Sequence, residues 1–289
     1  MEKYYSFAGV ELAVSAPDDL MYEDDRNLEF FRVSEVLDPH RFLFEMVQTL
    51  IPPVGSCIAT MDNFVVYYQN GIHARYIGAI DGDWSTAYMH TDHNGKMHTV
   101  ELKADVYTNG MSAKTVLNAI EAEHLIAQNS GFVFHSSYID VDGKAILFTA
   151  PSGTGKSTQA ELWRTLRNAE VINGDRSAVR CTNTGSFACG IPFAGSSQIC
   201  KNRTLPLAAI VYLSQAKETS IRKLRGVEAF RRVWEGVSVN TWDTEDLTAV
   251  MDTVSRLVEN VPVYYLACTP DESAVLALED AMNSPLEVL

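Results

Sequence analysis

The 289-residue chain has no basic surplus, no cysteines spaced as CxxC, no apolar run of bilayer length and no low-complexity tract or internal repeat. Each absence excludes something. A formal net charge of −14 argues against a coat for nucleic acid or anionic membrane, which needs a basic footprint, so neither is expected as a partner. The longest apolar runs, Leu205–Leu213 and Val261–Ala267, have the length of buried strands, far short of the roughly 20 residues that span a bilayer. Cys57, Cys181, Cys189, Cys200 and Cys268 are odd in number, which suits buried, reduced thiols in a cytoplasmic protein better than a disulfide or zinc framework. The start MEKYYSFAGVEL carries early charges and lacks an apolar core followed by a small-residue cleavage site, so no signal peptide is expected.

What is present is the composition of a soluble globular chain, 46% hydrophobic and 21% charged, long enough for one large or two modest domains. The charge is unevenly placed. Residues 1–143 hold 21 acids and 8 bases, residues 144–232 hold 5 acids and 14 bases, and residues 233–289 hold 11 acids and 1 base. A basic middle third between acidic flanks is either a cationic site for a polyanion or a framework of ion pairs.

Before about residue 110 the chain is rich in aromatic and β-branched residues broken by turns, among them Asn70-Gly71 and Asn94-Gly95, and Ser15–Asp25 reads as an acidic surface loop. An antiparallel β-rich module over residues 1–110 is expected. Residues 111–129 place Val116, Leu117, Ile120, Leu125 and Ile126 on one stripe, predicting a linking helix. From residue 132 strands and helices mix, so residues 111–289 are expected to form an α/β domain.

The decisive stretch is AILFTAPSGTGKSTQAELWRTLRN, a buried strand Ala145–Thr149 running through a glycine loop into an amphipathic helix. This is the context of a phosphate-binding loop. Gly153 and Gly155 let successive N–H groups turn inward at the positive end of the helix. Ser152, Gly153, Thr154, Gly155, Lys156, Ser157 and Thr158 are therefore the candidate ATP-binding set, with Lys156 as a point charge on the phosphates and Ser157 as a magnesium ligand. Ala150 stands where the motif has its first glycine.

A second acid is sought about twenty residues on, where the strand Glu170-Val171-Ile172-Asn173 runs into Gly174-Asp175-Arg176 and a parallel neighbour of the loop strand is expected. Asp175 is the candidate, either completing the magnesium site or handling an acceptor's proton, with a purely local turn aspartate as its alternative. Taking Asp142-Gly143 as a two-residue turn pairs Val141 with Lys144, Ile139 with Ile146, Ser137 with Phe148 and His135 with Ala150. His135 then lies beside the loop, able to orient or exchange protons there. Lys201 and Arg203, in a Gly/Ser-rich stretch before a buried strand, are candidates to clamp phosphate. His90, Asp92, His93 and His98 suggest a metal site, but a turn at Asn94-Gly95 divides them between two faces of a ribbon, so a metal is not expected there.

These residues together, HSSYIDVDGKAILFTAPSGTGKST, VINGDRSAVR, IPFAGSSQIC and PLAAIVYL, resemble the catalytic domain of HPr serine kinase and the wider set of HPr-kinase-like proteins. Their nucleotide core is shared with ATP-dependent phosphoenolpyruvate carboxykinase, and some are encoded near peptide-modification systems. The resemblance spans roughly residues 130–285 and implies an α/β P-loop core of the HPr kinase/PEP carboxykinase type behind an amino-terminal antiparallel β-rich module similar to that of the HPr-kinase-like proteins. It implies Lys156 and Ser157 in binding ATP and magnesium, His135 as the histidine before the loop, and Asp175 as the acid near the acceptor hydroxyl. Two departures stand out. Gly174-Asp175 replaces two adjacent acids, and no glycine-arginine signature follows the core. The carboxykinase's metal-binding and substrate-binding residues have no counterparts here.

The expected function is an ATP- and magnesium-dependent kinase acting through Asp175, His135 and Lys156 on a hydroxyl of a peptide, small protein or small molecule. The alternative is a non-catalytic ATP-binding sensor or peptide-recruiting module. Whether the chain forms a homo-oligomer stays open.

Overall fold

The computed structural model describes residues 2–20, 26–70, 72–78, 85–92 and 94–284. It is a mixed α/β protein with two large sheets, divided into two compact units, Met1–Glu121 and Ala122–Leu289. Among the described residues no helix is long and apolar enough to cross a membrane.

The first unit holds β1 (Glu2–Phe7), β2 (Val10–Ser15), α1 (Arg26–Glu29), β3 (Arg32–Val33), β4 (His40–Val47), β5 (Ser56–Thr60), β6 (Phe64–Gln69), β7 (Ile72–Gly78), β8 (Ser85–Thr91), β9 (Met97–Lys103) and α2 (Ala113–Ala119). The sheet runs β3-β1-β2-β4-β9-β8-β7-β6-β5. Alternation drives it: on β4, His40, Phe42 and Phe44 are buried while Arg41, Leu43 and Glu45 face out. The module is not wholly antiparallel, because β4 pairs in parallel with both β2 and β9. Gln69 pairs with Ile72, as a two-residue turn at Asn70-Gly71 requires. Gly71 itself, His93 and residues 21–25 of the acidic loop lie outside the described residues.

The helix expected over 111–129 is two helices, α2 and α3 (Ala122–Gln128). Ile120 leaves helical geometry at ψ 61°, and the next residue, Glu121, is held in an ion pair by buried Arg75. The division between units falls here and not at residue 110.

The second unit continues with β10 (Gly131–Val141), β11 (Lys144–Thr149), α4 (Lys156–Arg167), β12 (Glu170–Asn173), β13 (Arg176–Thr182), β14 (Gly185–Gly190), β15 (Thr204–Gln215), β16 (Ser220–Leu224), α5 (Gly226–Trp234), β17 (Val237–Ser238), α6 (Thr244–Asn260), β18 (Val263–Cys268) and α7 (Glu272–Asn283). β11, β15 and β18 form a parallel run. Alternate residues of these strands feed two cores. Leu147 and Ile210 pack with Val233 of α5 and Val250, Val254 and Leu257 of α6. Ile146, Phe148 and Val211 pack with Trp163 of α4 and Ala274, Val275 and Leu278 of α7. Helices thus cover both faces of the parallel run, which explains its continuous apolar sequence.

β10 changes partners midway. Gly131–His135 pair with β13, and Ser136–Val141 pair with β11 in the expected register, from Ser136 opposite Thr149 to Val141 opposite Lys144. The parallel neighbour expected from residues 170–173 is not beside β11: β12 is antiparallel to β10, and β15 takes the place next to β11. With β10 on one edge of β11 and β15 on the other, β12 pairs along β10 instead.

Tyr138, fully buried on β10, has a hydroxyl without a hydrogen-bond partner. A buried, unpaired hydroxyl is a cost, whereas the ring fills core space. Tyr138→Phe should therefore leave stability unchanged or raise it by up to about 1 kcal/mol, and Tyr138→Ala should lower it by about 3–5 kcal/mol, both read by denaturant unfolding.

Candidate functional site

The loop between β11 and α4 leaves donors unsatisfied at the helix start. Gly155 caps α4 at φ 120° with no side-chain cap, so the first N–H groups of the helix keep no internal partner. A Cβ added at Gly153 would meet nothing within 4 Å, so its φ of 77°, not crowding, calls for glycine. Lys156 is buried and curls back, donating from Nζ to Ala150 O at 2.9 Å and Pro151 O at 3.4 Å. Burial lowers its pKa, and the nearby Asp175 carboxylate partly opposes that. Ser157 and Thr158 are exposed at the helix start.

His135 reaches this place as the residue at which β10 leaves β13. Its carbonyl accepts from Thr149 Oγ1 at 3.0 Å, on the last residue of β11. The strand ladder ends one pair short of the expected His135–Ala150 pair, and this side-chain bond continues it. Its N–H donates to Gly236 O at 2.7 Å. The imidazole Nε2 lies 3.2 Å from Asp175 Oδ1, with both side chains about one-third exposed. Burial and the Lys156 charge hold the His135 pKa below its ordinary 6.5 against the pull of Asp175. It is therefore neutral near pH 7 and suited to donate one N–H to the carboxylate.

Asp175 sits in the bend between β12 and β13. Both strands follow β10 on the same edge, and Ser136 N donates to Asp175 O at 3.0 Å while Ser137 Oγ donates to Gly174 O at 3.0 Å. The bend is clasped by the short turn Gly195–Ser197. A Cβ on Gly195 would lie 2.5 Å from Asp175 Oδ2, and one on Gly174 would overlap the Ser197 side chain. Ser197 thus fills the space in which a side chain at position 174 would begin.

The structure therefore brings Lys156, His135 and Asp175 together and separates other candidates from them. Lys201 and Arg203 are at the far end of β12, where Lys201 Nζ lies 2.6 Å from Glu170 and Arg203 bridges Glu170 at 2.6 Å and Asp140 at 2.7 Å. They do not clamp phosphate at the loop. In the first unit, His98 is buried between His40 and Thr91 and stacks on Phe42. Asp92 accepts from the N–H groups of Lys96 and Met97. Four of the five cysteines are buried as expected, but Cys57 is exposed.

Three features escaped the sequence reading. His124 on α3 meets Asp246 on α6 at 2.9 Å, with Asp243 nearby capping α6. Asp246 also accepts from Asn240, so the group acts as a clamp between helices. Gly195 and Ser197 were hidden in a generic Gly/Ser stretch. Gln159 and Cys268, 109 residues apart, meet beside the loop, and only the parallel strand order could have joined them.

The fold and this loop define an α/β protein with a glycine loop at the end of a parallel strand. Residues 104–272, more than half of the chain, match the family described as SynChlorMet cassette protein ScmC, and the chain belongs to that family. A solved structure similar to it is the Hpr(Ser) kinase/phosphatase from Coxiella burnetii, at 11% identity and a TM-score of 0.32, covering 52% of this chain and 96% of that one. No curated protein matches.

Two outcomes are expected from this geometry. In the metal-free protein the His135 ring protons should titrate below pH 6.5, and Asp175→Asn should lower that value further, since it removes the anion favouring imidazolium; an NMR titration moving upward contradicts the arrangement. Gly174→Asp should destabilise the protein by about 1–3 kcal/mol through overpacking against Ser197, measured by chemical denaturation.

Proposed function

We propose that the protein is an ATP-dependent kinase of the HPr serine kinase type, transferring the γ-phosphoryl group of MgATP to a hydroxyl of a peptide, small protein or metabolite, with serine as the expected peptide acceptor. The observation that carries this reading is the His135–Asp175 contact of 3.2 Å at the mouth of the loop that holds Lys156. A proton acceptor, its orienting partner and a cation for phosphate are thus assembled in one place.

The donors suit magnesium, a hard cation that takes oxygen ligands: the exposed Ser157 hydroxyl and a carboxylate oxygen of Asp175 would hold it. Bound there, magnesium supplies charge neutralisation on the phosphates. In the transfer itself the acceptor oxygen forms the new bond to phosphorus as the bond from phosphorus to the β–γ bridging oxygen breaks. The electron pair of that bond leaves with ADP, and the hydroxyl proton passes to Asp175. Neutral His135 donates to the Asp175 carboxylate and fixes its direction. Lys156 exchanges its contacts with Ala150 and Pro151 for phosphate oxygens, and the uncapped start of α4 adds N–H donors.

The second reading, an ATP-binding module without transfer, draws on Gly174, where Ser197 leaves no room for the second acid of HPr kinase. One experiment separates the two. Purified protein and labelled MgATP are incubated with serine-containing peptides, small proteins and hydroxyl metabolites and analysed by mass spectrometry for a phosphate adduct. Lys156→Ala should abolish transfer, and Asp175→Asn should slow it by about 10²-fold or more with ATP affinity changed only a few-fold. Wild-type turnover in both variants overturns the kinase reading; ATP binding with no adduct on any acceptor offered favours the module.

A further inference from the structure

A cavity of about 450 Å³ opens beside the loop, a size ordinary for a small-molecule site. Its walls come from Gly153–Gly155 on one side and from Leu213–Ala216, Cys268 and Pro270 on the other. It therefore lies where β11, β15 and β18, all parallel, end together, the edge at which α/β sheets collect ligands. Gln215 ties its rim to the loop, with Nε2 3.5 Å from Gly153 O and 3.4 Å from Thr154 O.

Gln159 lines this cavity from the first turns of α4 and is only 2% exposed. Its Nε2 donates to Cys268 Sγ at 3.3 Å, while its Oε1 is buried with no hydrogen-bond partner. Buried amide oxygens are nearly always paired, and leaving one unpaired costs free energy that a ligand with a donor would recover. Two groups of the amide remain available: the Oε1 acceptor and the second Nε2 hydrogen. An acceptor beside a donor is the complement of the adenine edge that carries an amino group next to a ring nitrogen. The corresponding edge of guanine carries two acceptors and leaves Oε1 facing an oxygen.

We propose that this cavity is the base subsite of the nucleotide and that Gln159 selects adenine, Oε1 accepting from the exocyclic amino group and Nε2 donating to the adjoining ring nitrogen. The inference rests on the loop being the ATP phosphate site. Leu213, Pro270 and Cys268 supply the apolar surround for the ring, and Gln215 keeps the loop in register with it.

Calorimetric titration of wild-type protein with ATP, purine riboside 5′-triphosphate, which lacks the amino group, and inorganic tripolyphosphate tests the two readings separately. Wild type should bind ATP about tenfold more tightly than the purine analogue, the worth of one buried hydrogen bond. Gln159→Leu should bind the two alike while holding tripolyphosphate as wild type does. Equal wild-type affinity for ATP and the analogue overturns the base assignment, and tripolyphosphate binding that is lost in Lys156→Ala leaves the loop reading intact in that case. Binding of neither ATP nor tripolyphosphate overturns both. The wild-type comparison stands whatever the stability of the Gln159→Leu variant.

Discussion

Between His135 and Ser136, strand β10 exchanges one set of hydrogen-bond partners for another, and the site is assembled around that exchange. A strand changing neighbours must still satisfy every backbone group. Here His135 N is taken by Gly236, His135 O by the Thr149 hydroxyl, and Ser136 N by Asp175 O. Each of these bonds fixes a piece of the site: Thr149 is the last residue before the loop, and Asp175 is the acid facing it. The side chains of His135 and Asp175 meet because their backbones are already tied on neighbouring edges.

How much of this could be read in the sequence depended on how local the deciding interaction was. The β10–β11 hairpin was legible because Asp142-Gly143 leaves one register open, and Asp142 and Gly143 do take the positive φ that such a turn needs. The loop was legible because strand, glycines, lysine and helix are contiguous. The place of β12 was not, since pairing with β10 or with β11 satisfies the same apolar pattern, and what decides is that β10 and β15 fill the two edges of β11. The break after α2 was hidden for a related reason: an ion pair from Arg75, 46 positions earlier in the chain, holds Glu121 where the apolar stripe alone would continue a helix. Gln159 read as one more helix residue until Cys268 was brought against it.

The charge distribution changes meaning in the same way. Much of the cationic surplus of the middle third is used within the second unit. Arg167 pairs with Glu279, Lys201 and Arg203 with Glu170, Arg222 with Glu228 and Arg232 with Glu235. Most of these pairs are solvent-exposed and add little stability each. Their effect is to lower the field that distant arginines would cast over the loop. Attraction for an anion there comes from Lys156 and the helix start, at short range.

The resting position of Lys156 gives that short-range attraction a threshold. Its ammonium is buried and already satisfied by two carbonyls of the loop that precedes it. An incoming anion has to outbid those carbonyls, and a charged oxygen does so because charge-assisted hydrogen bonds are about twice as strong as neutral ones. A single weakly held anion gains little from the exchange. On the proposed reading, a chain of phosphates that offers one oxygen to the helix start and another to the lysine would recover both contacts at once, so the loop would favour ligands that present several anionic oxygens together.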